Sequence, residues 1–332
     1  MEKTNTFARF DVVSDDSDHH FRNPNWCRNK GDRVCFTNTK SEVYKIIMRE
    51  WKILEENLPE SIYVRVYERR IDLLRAAIVG VAGTPYHDGL FFFDIAFPSD
   101  YPKSPPRIHY RSFGLRLNPN LYANGVVCLS LLNTWMGQKS ERWDPSGSTL
   151  LQVLLSIQSL VLNDEPFFNE PSYASFGNSH HHLNRSRAYS EHAFSLTCQT
   201  SVYLLRNPPK NFKEFVRAHF SERAPAILAA CNEYVNGRVR VGNYGYNDDD
   251  DDDNESRASS VKVSEEFKGL MKGLYPKMVE AFQRTGAHLG TSLEHLELER
   301  KRSEKNNNGI FKKAIAKIKR ALGWKNKIKS QS

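Results

Sequence analysis

Residues Asn118–Leu132 read NPNLYANGVVCLSLL and place two turn signals directly before an apolar run that contains one thiol. Pro119 fixes its own φ and pushes the preceding residue out of the helical region, and Asn124-Gly125 is a strong turn dipeptide. The pattern predicts that irregular backbone delivers Cys128 to the edge of a packed region. On this local pattern alone a structural cysteine is the commoner outcome, because free cysteine is often a small buried hydrophobe.

Motifs on both sides of this stretch favour a functional cysteine instead. The segment Tyr101–Pro106 precedes it and reads YPKSPP, Trp143-Asp144-Pro145 follows it, and the helix-like run Leu150–Leu160 comes next. In this order and spacing the chain resembles the ubiquitin-conjugating enzymes over about 170 residues, from near Asn38 to near Asn207.

Three details resemble one branch of that family, the large hybrid conjugating-enzyme/ligases and their plant relatives. The motif is spelled Asn-Pro-Asn, the segment Leu132–Trp143 is longer than in short members and contains Thr134-Trp135, and Asn-Glu-Pro occurs at 169–171. A long loop beside a nucleophile is more often functional than filler.

The resemblance implies that Cys128 accepts ubiquitin as a thioester and passes it to substrate lysines. It gives Asn120 an oxyanion-stabilising or loop-orienting role, the alternative from the residue itself being an amide that holds the turn. The other expected site residues line the rim: Asn118, Asn124, Ser130 and Asn169. The implied partners are ubiquitin, the ubiquitin-activating enzyme, a ubiquitin ligase and protein substrates. No cofactor is implied, because ATP is used by the upstream activating enzyme.

This chemistry suits an isolated thiol. A thiolate is both a nucleophile and a leaving group, and exchange between two thioesters is nearly balanced in energy, so no strong base is required. The residues around Cys128 and Cys198 match none of the local cysteine-protease signatures.

Three positions depart from the family pattern. Asn118 replaces the usual histidine, and Lys103 stands where a phenylalanine commonly contacts ligases. The acid that often lowers the pKa of the acceptor lysine has no clear match, with Asp164 or Glu165 as substitutes. Two alternatives therefore stay open: a catalytically idle ubiquitin- or substrate-binding module of the same fold, and a conjugating enzyme for another ubiquitin-like modifier. The presence of Cys128 favours an enzyme.

The predicted fold class is α+β. Apolar spacing predicts a first helix that Ser41 starts and that Asn57 and Pro59 end. An antiparallel meander of four strands follows, at Ile62–Tyr67, Leu74–Val81, Leu90–Phe97 and Ile108–Tyr110. The crossing helix is the run from Leu150. Further helices are expected at Tyr189–Leu205, Phe212–Phe220 and Glu265–Phe282, the last kinked or split by Pro276.

The expected domain map has four parts. Residues 1–38 are polar and predict a flexible extension, and residues 39–207 form the conjugating core. Residues 208–303 form a helical extension interrupted by an acidic disordered linker, 242–262, because the six aspartates at Asp248–Asp253 repel one another. Residues 304–332 form a basic amphipathic tail.

The net charge of +8 arises in this tail. Residues 309–332 hold eight Lys or Arg and no acid, which leaves the remainder balanced, so no nucleic-acid partner is expected. Residues 309–328 instead predict a segment for a membrane surface or an acidic partner. A nuclear localisation patch and docking on Asp248–Asp253 are alternatives.

The cysteines are odd in number and widely spread: Cys27, Cys35, Cys128, Cys198 and Cys231. With no secretory signal and no membrane-spanning run, this usage predicts a reduced cytoplasmic or nuclear location, with peripheral membrane attachment through the tail. No metal site is expected. The spacing of His19 and His20 to Cys27 and Cys35 matches no zinc pattern, and three adjacent histidines at 180–182 cannot share one helical face.

Overall fold

The computed structural model of the chain describes residues 7–23, 34–135, 138–170, 180–245 and 261–290. The chain divides into one compact unit, Met1–Ala287, and a second, His288–Ser332. The aspartate run at 248–253 and the basic tail at 304–332 lie outside the described residues, so the predictions for them stay predictions.

The central element is a five-stranded sheet in the order β1-β2-β3-β4-β5. Its strands are β1 Phe10–Val13, β2 Ile62–Tyr67, β3 Arg70–Val79, β4 Leu90–Ala96 and β5 Arg107–Tyr110. The antiparallel meander from β2 to β5 is confirmed. The predicted sheet was one strand short, because β1 adds to the free edge of β2 in parallel register, from Phe10 opposite Val64 to Val13 opposite Tyr67.

The prediction of a flexible extension over residues 1–38 is therefore wrong for its described parts. Residues 7–23 lie on the sheet, where His19 Nε2 bonds the carbonyl of Leu74 at 3.0 Å and Arg65 donates to the carbonyl of Ala8 at 2.9 Å. The short helix α1, Val34–Thr37, also packs, with Phe36 in the core. The polar groups of this segment find their partners on distant strands, which no local sequence pattern reveals.

One buried ion cluster fastens this segment to the sheet. Arg75 is 1% exposed, and its guanidinium donates to Asp94 at 2.5 Å and to Asp18 at 2.8 Å. Burial acts to raise the pKa of Asp94, but the hydrogen bonds and charge of Arg75 hold that pKa below its ordinary value. The outer face of the sheet is thus occupied by the chain itself.

The other α-helices of the described residues are α2 Glu42–Asn57, α3 Leu150–Ser156, α4 His180–Arg206, α5 Lys213–Val235 and α6 Glu265–Gln283. Helix α2 begins where predicted, since Ser41 Oγ accepts a hydrogen bond from the amide of Tyr44 at 3.1 Å. Helix α3 begins with a capping box between Thr149 and Gln152 and continues as a π-helical turn, Ile157–Val161.

The C-terminal helices belong to the same unit as the predicted core, because α6 packs along α4 and α5. Helix α6 is not split at Pro276, whose ring lies on the exposed side. The predicted disordered linker, 242–262, begins too early in the chain, because its first residues are hydrogen-bonded to α5. The amides of Gly242 and Tyr244 donate to the Tyr234 hydroxyl at 3.1 and 3.2 Å.

The core between the sheet and helices α2 and α3 positions the motifs that flank the thiol. Buried Glu50 of α2 accepts hydrogen bonds from the Tyr101 hydroxyl and from the amide of Leu150, at the start of α3. The indole of Trp143 donates to the carbonyl of Pro102 at 2.6 Å. The YPKSPP segment, the Trp-Asp-Pro turn and two helices therefore meet at one place.

Candidate active site

The turn before the thiol is built around Gly125. Its φ is +85°, and a Cβ at this position would lie 2.0 Å from the His109 ring, so glycine is required. The Gly125 amide donates to the carbonyl of Tyr122 at 2.9 Å, and the Tyr122 amide donates to the carbonyl of Val126 at 3.0 Å. The loop that leads to Cys128 is thereby fixed.

Cys128 is a free cysteine, 8% exposed, that lies outside any regular helix or strand. Thr134 secures the backbone on both sides of it, because its hydroxyl donates to the carbonyl of Val127 at 2.8 Å and accepts from the amide of Leu129 at 2.9 Å. The sequence prediction of a thiol at the edge of a packed region agrees with this placement.

Three effects act on the pKa of the Cys128 thiol. Burial raises the pKa of Cys128, whereas the hydroxyl of Tyr122 and the charge of Arg116 act to lower it. The guanidinium carbon of Arg116 lies 4.7 Å from the centroid of the Tyr122 ring. Neither residue was predicted from the sequence, although both lie within the stretch that surrounds Asn-Pro-Asn.

Asn118 is a buried hub and not a rim residue. It is 0% exposed, and its side-chain Nδ2 donates to the Tyr86 hydroxyl and to the carbonyl of Val161, both at 2.7 Å. Its Oδ1 accepts from the backbone amide of Asn120 at 2.8 Å. The rim assignment was wrong because an amide at the usual histidine position can satisfy several interior groups at once.

Asn169 joins the same network. Its Nδ2 donates to the carbonyl of Val161 at 3.0 Å and to Asn118 Oδ1 at 3.4 Å, and its Oδ1 accepts from Asn163 at 2.6 Å. The 3₁₀ turn Pro166–Asn169 carries it to this position. Its half-buried side chain links the segment after α3 to the thiol loop.

Asn120 holds the backbone of the thiol residue. Its Nδ2 donates to the carbonyl of Cys128 at 3.1 Å, and its backbone carbonyl accepts from the Cys128 amide at 2.9 Å. Its buried Oδ1 has no hydrogen-bond partner among the described residues. In this arrangement the side chain acts on the loop, as the turn-holding alternative predicts.

The two other predicted rim residues make only local contacts. Asn124 is exposed and accepts from the amide of Val126 at 3.2 Å. Ser130 begins a 3₁₀ turn, Ser130–Leu132, where its carbonyl accepts from the amide of Asn133. The structure thus brings Asn118, Asn120, Cys128 and Asn169 into one hydrogen-bonded set and leaves Asn124 and Ser130 in the adjoining turns.

The acid that the sequence left unassigned has a better candidate in Glu170. Asp164 and Glu165 line a cleft of about 790 Å³ with residues 81–84 and α4, and neither Cys128 nor Asn120, which is hydrogen-bonded to its backbone, lines that cleft. Burial raises the pKa of Tyr189 to about 12, with Arg116 acting to lower it and Glu170 acting to raise it. Glu170 and Arg116 therefore act on the same hydroxyl, that of Tyr189. The Asn-Glu-Pro sequence was the available signal.

Within the described ranges, no group of three or more His, Cys, Asp or Glu side chains is arranged to hold a metal ion. None of the helices described combines the length and the hydropathy that crossing a membrane requires.

Comparison with known proteins gives a consistent result. The ubiquitin-conjugating enzyme domain family matches residues 46–195. Among relatives named as ubiquitin-conjugating enzymes, E2 24 of Arabidopsis thaliana is 49% identical over 84% of this chain, and E2 38 of the same plant is 52% identical over 70% of it. The human protein named dual E2 ubiquitin-conjugating enzyme/E3 ubiquitin-protein ligase BIRC6 is 37% identical over 69% of the chain.

The lengths of these relatives differ widely. The matched part of the chain spans 29% of E2 24 and 5% of BIRC6, but 68% of E2 38. The match to E2 38 covers the larger part of both proteins. The family match, residues 46–195, includes the thiol loop, strands β2 to β5 and the crossing helix α3. This chain belongs to the ubiquitin-conjugating enzyme family.

Proposed function

We propose that this chain accepts ubiquitin from the ubiquitin-activating enzyme as a thioester on Cys128 and transfers it to lysines of protein substrates. The observation that carries the proposal is a free thiol, 8% exposed, on a loop fixed by Gly125, Thr134 and Asn120. Hydrogen bonds on both sides of the sulfur restrict the motion of the residue that must hold an acyl carbonyl still.

Loading exchanges one thioester for another. The Cys128 thiol loses its proton, its sulfur attacks the carbonyl carbon of the activating-enzyme thioester, and the activating enzyme's thiolate leaves. Because burial raises the pKa of Cys128, loading gains rate as the pH rises.

Transfer to lysine takes place at the same carbonyl carbon and releases the same sulfur. A neutral amine attacks the carbonyl carbon, a tetrahedral oxyanion forms, the Cys128 thiolate leaves and the amine nitrogen gives up a proton. Asn120 Nδ2 can donate to the oxyanion only by turning away from the carbonyl of Cys128, to which it donates at 3.1 Å. Loss of such a donor costs about 100-fold in rate. The Glu170 carboxylate, close to Tyr189, is our candidate for attracting and orienting the amine.

The test combines the full chain with activating enzyme, ATP and ubiquitin. A ubiquitin adduct that is removed by a thiol reductant is expected, and Cys128→Ala is expected to lose it. Cys35→Ala is the matched control, since Cys35 is a second cysteine and is partly accessible. An adduct that survives in Cys128→Ala, or its absence in the unaltered chain, would contradict the proposal.

The same assay separates two alternatives. A catalytically idle module of the same fold would give no adduct but would bind ubiquitin in solution, and the near-complete burial of Cys128 is the feature that favours it. A conjugating enzyme for another ubiquitin-like modifier would form the adduct only with that modifier and its own activating enzyme.

We also propose a reduced need for a separate ligase. The long segment 133–143 beside the thiol and the similarity to BIRC6, which is named as both enzyme and ligase, support this idea. Discharge of the loaded chain to a substrate protein without any ligase should then proceed at a measurable rate. If discharge occurs only when a ligase is added, a ligase is required.

The tail residues 309–328 are proposed to bind a membrane surface or an acidic partner, within the cytoplasm or the nucleus. Seven basic residues without an acid in this range support electrostatic attraction to anionic lipids. The full chain should sediment with vesicles that contain an anionic lipid, and deletion of residues 304–332 should abolish this while leaving thioester loading intact. Equal sedimentation of the two proteins would contradict the assignment.

A further inference from the structure

Arg116 lies against Tyr122, a residue of the loop that leads to Cys128. Leu117 and Asn118, which follow it, are both fully buried, whereas Arg116 itself is exposed. Its guanidinium lies over the Tyr122 ring, and the Tyr122 hydroxyl and the charge of Arg116 both act to lower the pKa of Cys128. Stacking on an aromatic ring limits where a long side chain can carry its charge.

The charge of Arg116 is not neutralised within the part of the chain that the structure describes. It forms no ion pair with any carboxylate there, although other exposed arginines do, such as Arg223 with Asp88 and Arg238 with Glu233. Its neighbours with titratable groups are Cys128, Tyr122 and Tyr189, and Glu170, which also acts on Tyr189, forms no ion pair with Arg116. A guanidinium placed in this way can form a bidentate contact with an incoming carboxylate.

We infer that Arg116 is a specificity-determining residue that binds a carboxylate of the acceptor protein and so favours lysines with an acidic neighbour. This inference rests on the proposed transfer from Cys128 and names the class of acceptor that the site would take. The reacting lysine approaches as an ammonium ion, which an unpaired guanidinium repels. An adjacent Asp or Glu on the acceptor cancels that repulsion and fixes the distance of the amine from the thioester.

The experiment measures single-turnover discharge of purified, ubiquitin-loaded chain to three peptides of equal length. In the first peptide two Glu flank the lysine, in the second two Gln take their places, and in the third the two Glu are moved to the far end. The unaltered chain should discharge to the first peptide about fivefold faster than to either other, the size of effect expected from a partly exposed charge pair. The ratio of the discharge rate with the first peptide to the rate with either other peptide should fall as the salt concentration is raised.

Variants of Arg116 separate charge from packing. Arg116→Gln should reduce the ratio to about one, as expected when the charge pair is lost, and Arg116→Lys should retain part of it. Arg116→Glu should favour a peptide with flanking Lys. The matched control is Arg69→Gln, which removes one exposed arginine from the turn between β2 and β3. It should leave the ratio unchanged.

The outcomes are distinct. Arg116→Gln that slows discharge to all three peptides equally would overturn the inference, because the residue would then act only by supporting Tyr122. An unaltered chain with no preference would overturn it as well. Thioester formation is measured before any peptide is added. Failure to form a thioester would count against the proposed function and not against this inference.

Discussion

Replacing Asn118 by alanine tests whether this residue is the structural hub of the thiol loop. Its side chain makes four hydrogen bonds, two donated at 2.7 Å each and two accepted at 2.8 and 3.4 Å. The Tyr86 hydroxyl and the Asn120 amide lose the partner described for them, whereas the carbonyl of Val161 keeps Asn169. A buried polar group left without a partner costs about 1–3 kcal/mol, so two such groups predict a loss of about 2–6 kcal/mol in the free energy of unfolding.

The assay is urea unfolding followed by tryptophan fluorescence, with Tyr86→Phe and the double variant measured beside Asn118→Ala. Tyr86→Phe removes the hydroxyl that Asn118→Ala leaves unpaired. The double variant should therefore lose less than the sum of the two single losses, by about 1–2 kcal/mol. If Asn118→Ala loses less than about 1 kcal/mol, or if the two losses simply add, the hub assignment is wrong.

Three further predictions address the sheet, the thiol and the turn. Asp94→Ala leaves Arg75 in the interior with one carboxylate fewer and should lower the free energy of unfolding by about 3–5 kcal/mol. In the unaltered chain the Asp94 pKa lies below its unfolded value, so the stability that the pair adds should be present above about pH 4 and lost as acid titration goes lower. The rate at which iodoacetamide alkylates Cys128 is measured by mass spectrometry as a function of pH. Because burial raises the pKa of the thiol, this rate should reach half its maximum above about pH 8.5. A midpoint below that value would contradict the buried environment assigned to the thiol. Gly125→Ala forces a Cβ onto the His109 ring at positive φ and should slow thioester loading and lower the unfolding midpoint, whereas Gly147→Ala, a glycine in a roomier turn, should change neither.

The parts of the fold that the sequence predicted are those with strong local signals. The start of α2 depends on one serine hydroxyl at Ser41, and the meander depends on runs of β-branched and aromatic residues; both are confirmed. Strand β1 has only four residues, and two of them are exposed. It becomes a strand because β2 offers a free edge, a fact about the assembled sheet that residues 10–13 do not carry.

The site residues also divide into those with a local sequence signal and those that only the assembled fold positions. The position of Cys128 follows from the turn residues that precede it, so spacing along the chain was sufficient. The partners of Asn118 come from Tyr86 and Val161, which are distant in sequence, and its burial could not be read from the motif. Arg116 and Glu170 were missed for a related reason. Each is an ordinary charged residue locally, and only the fold places both near Tyr189.

The central claim is that the sulfur of Cys128 itself carries the acyl group, and Cys128→Ser tests it most directly. A serine oxygen at this position would form an ester in place of a thioester. With activating enzyme, ATP and ubiquitin, the Cys128→Ser chain should slowly accumulate a ubiquitin adduct that resists thiol reductant, is cleaved by mild alkali and maps to residue 128 by mass spectrometry. A Cys128→Ser adduct that thiol reductant still removes, or one that maps to another residue, would contradict the account.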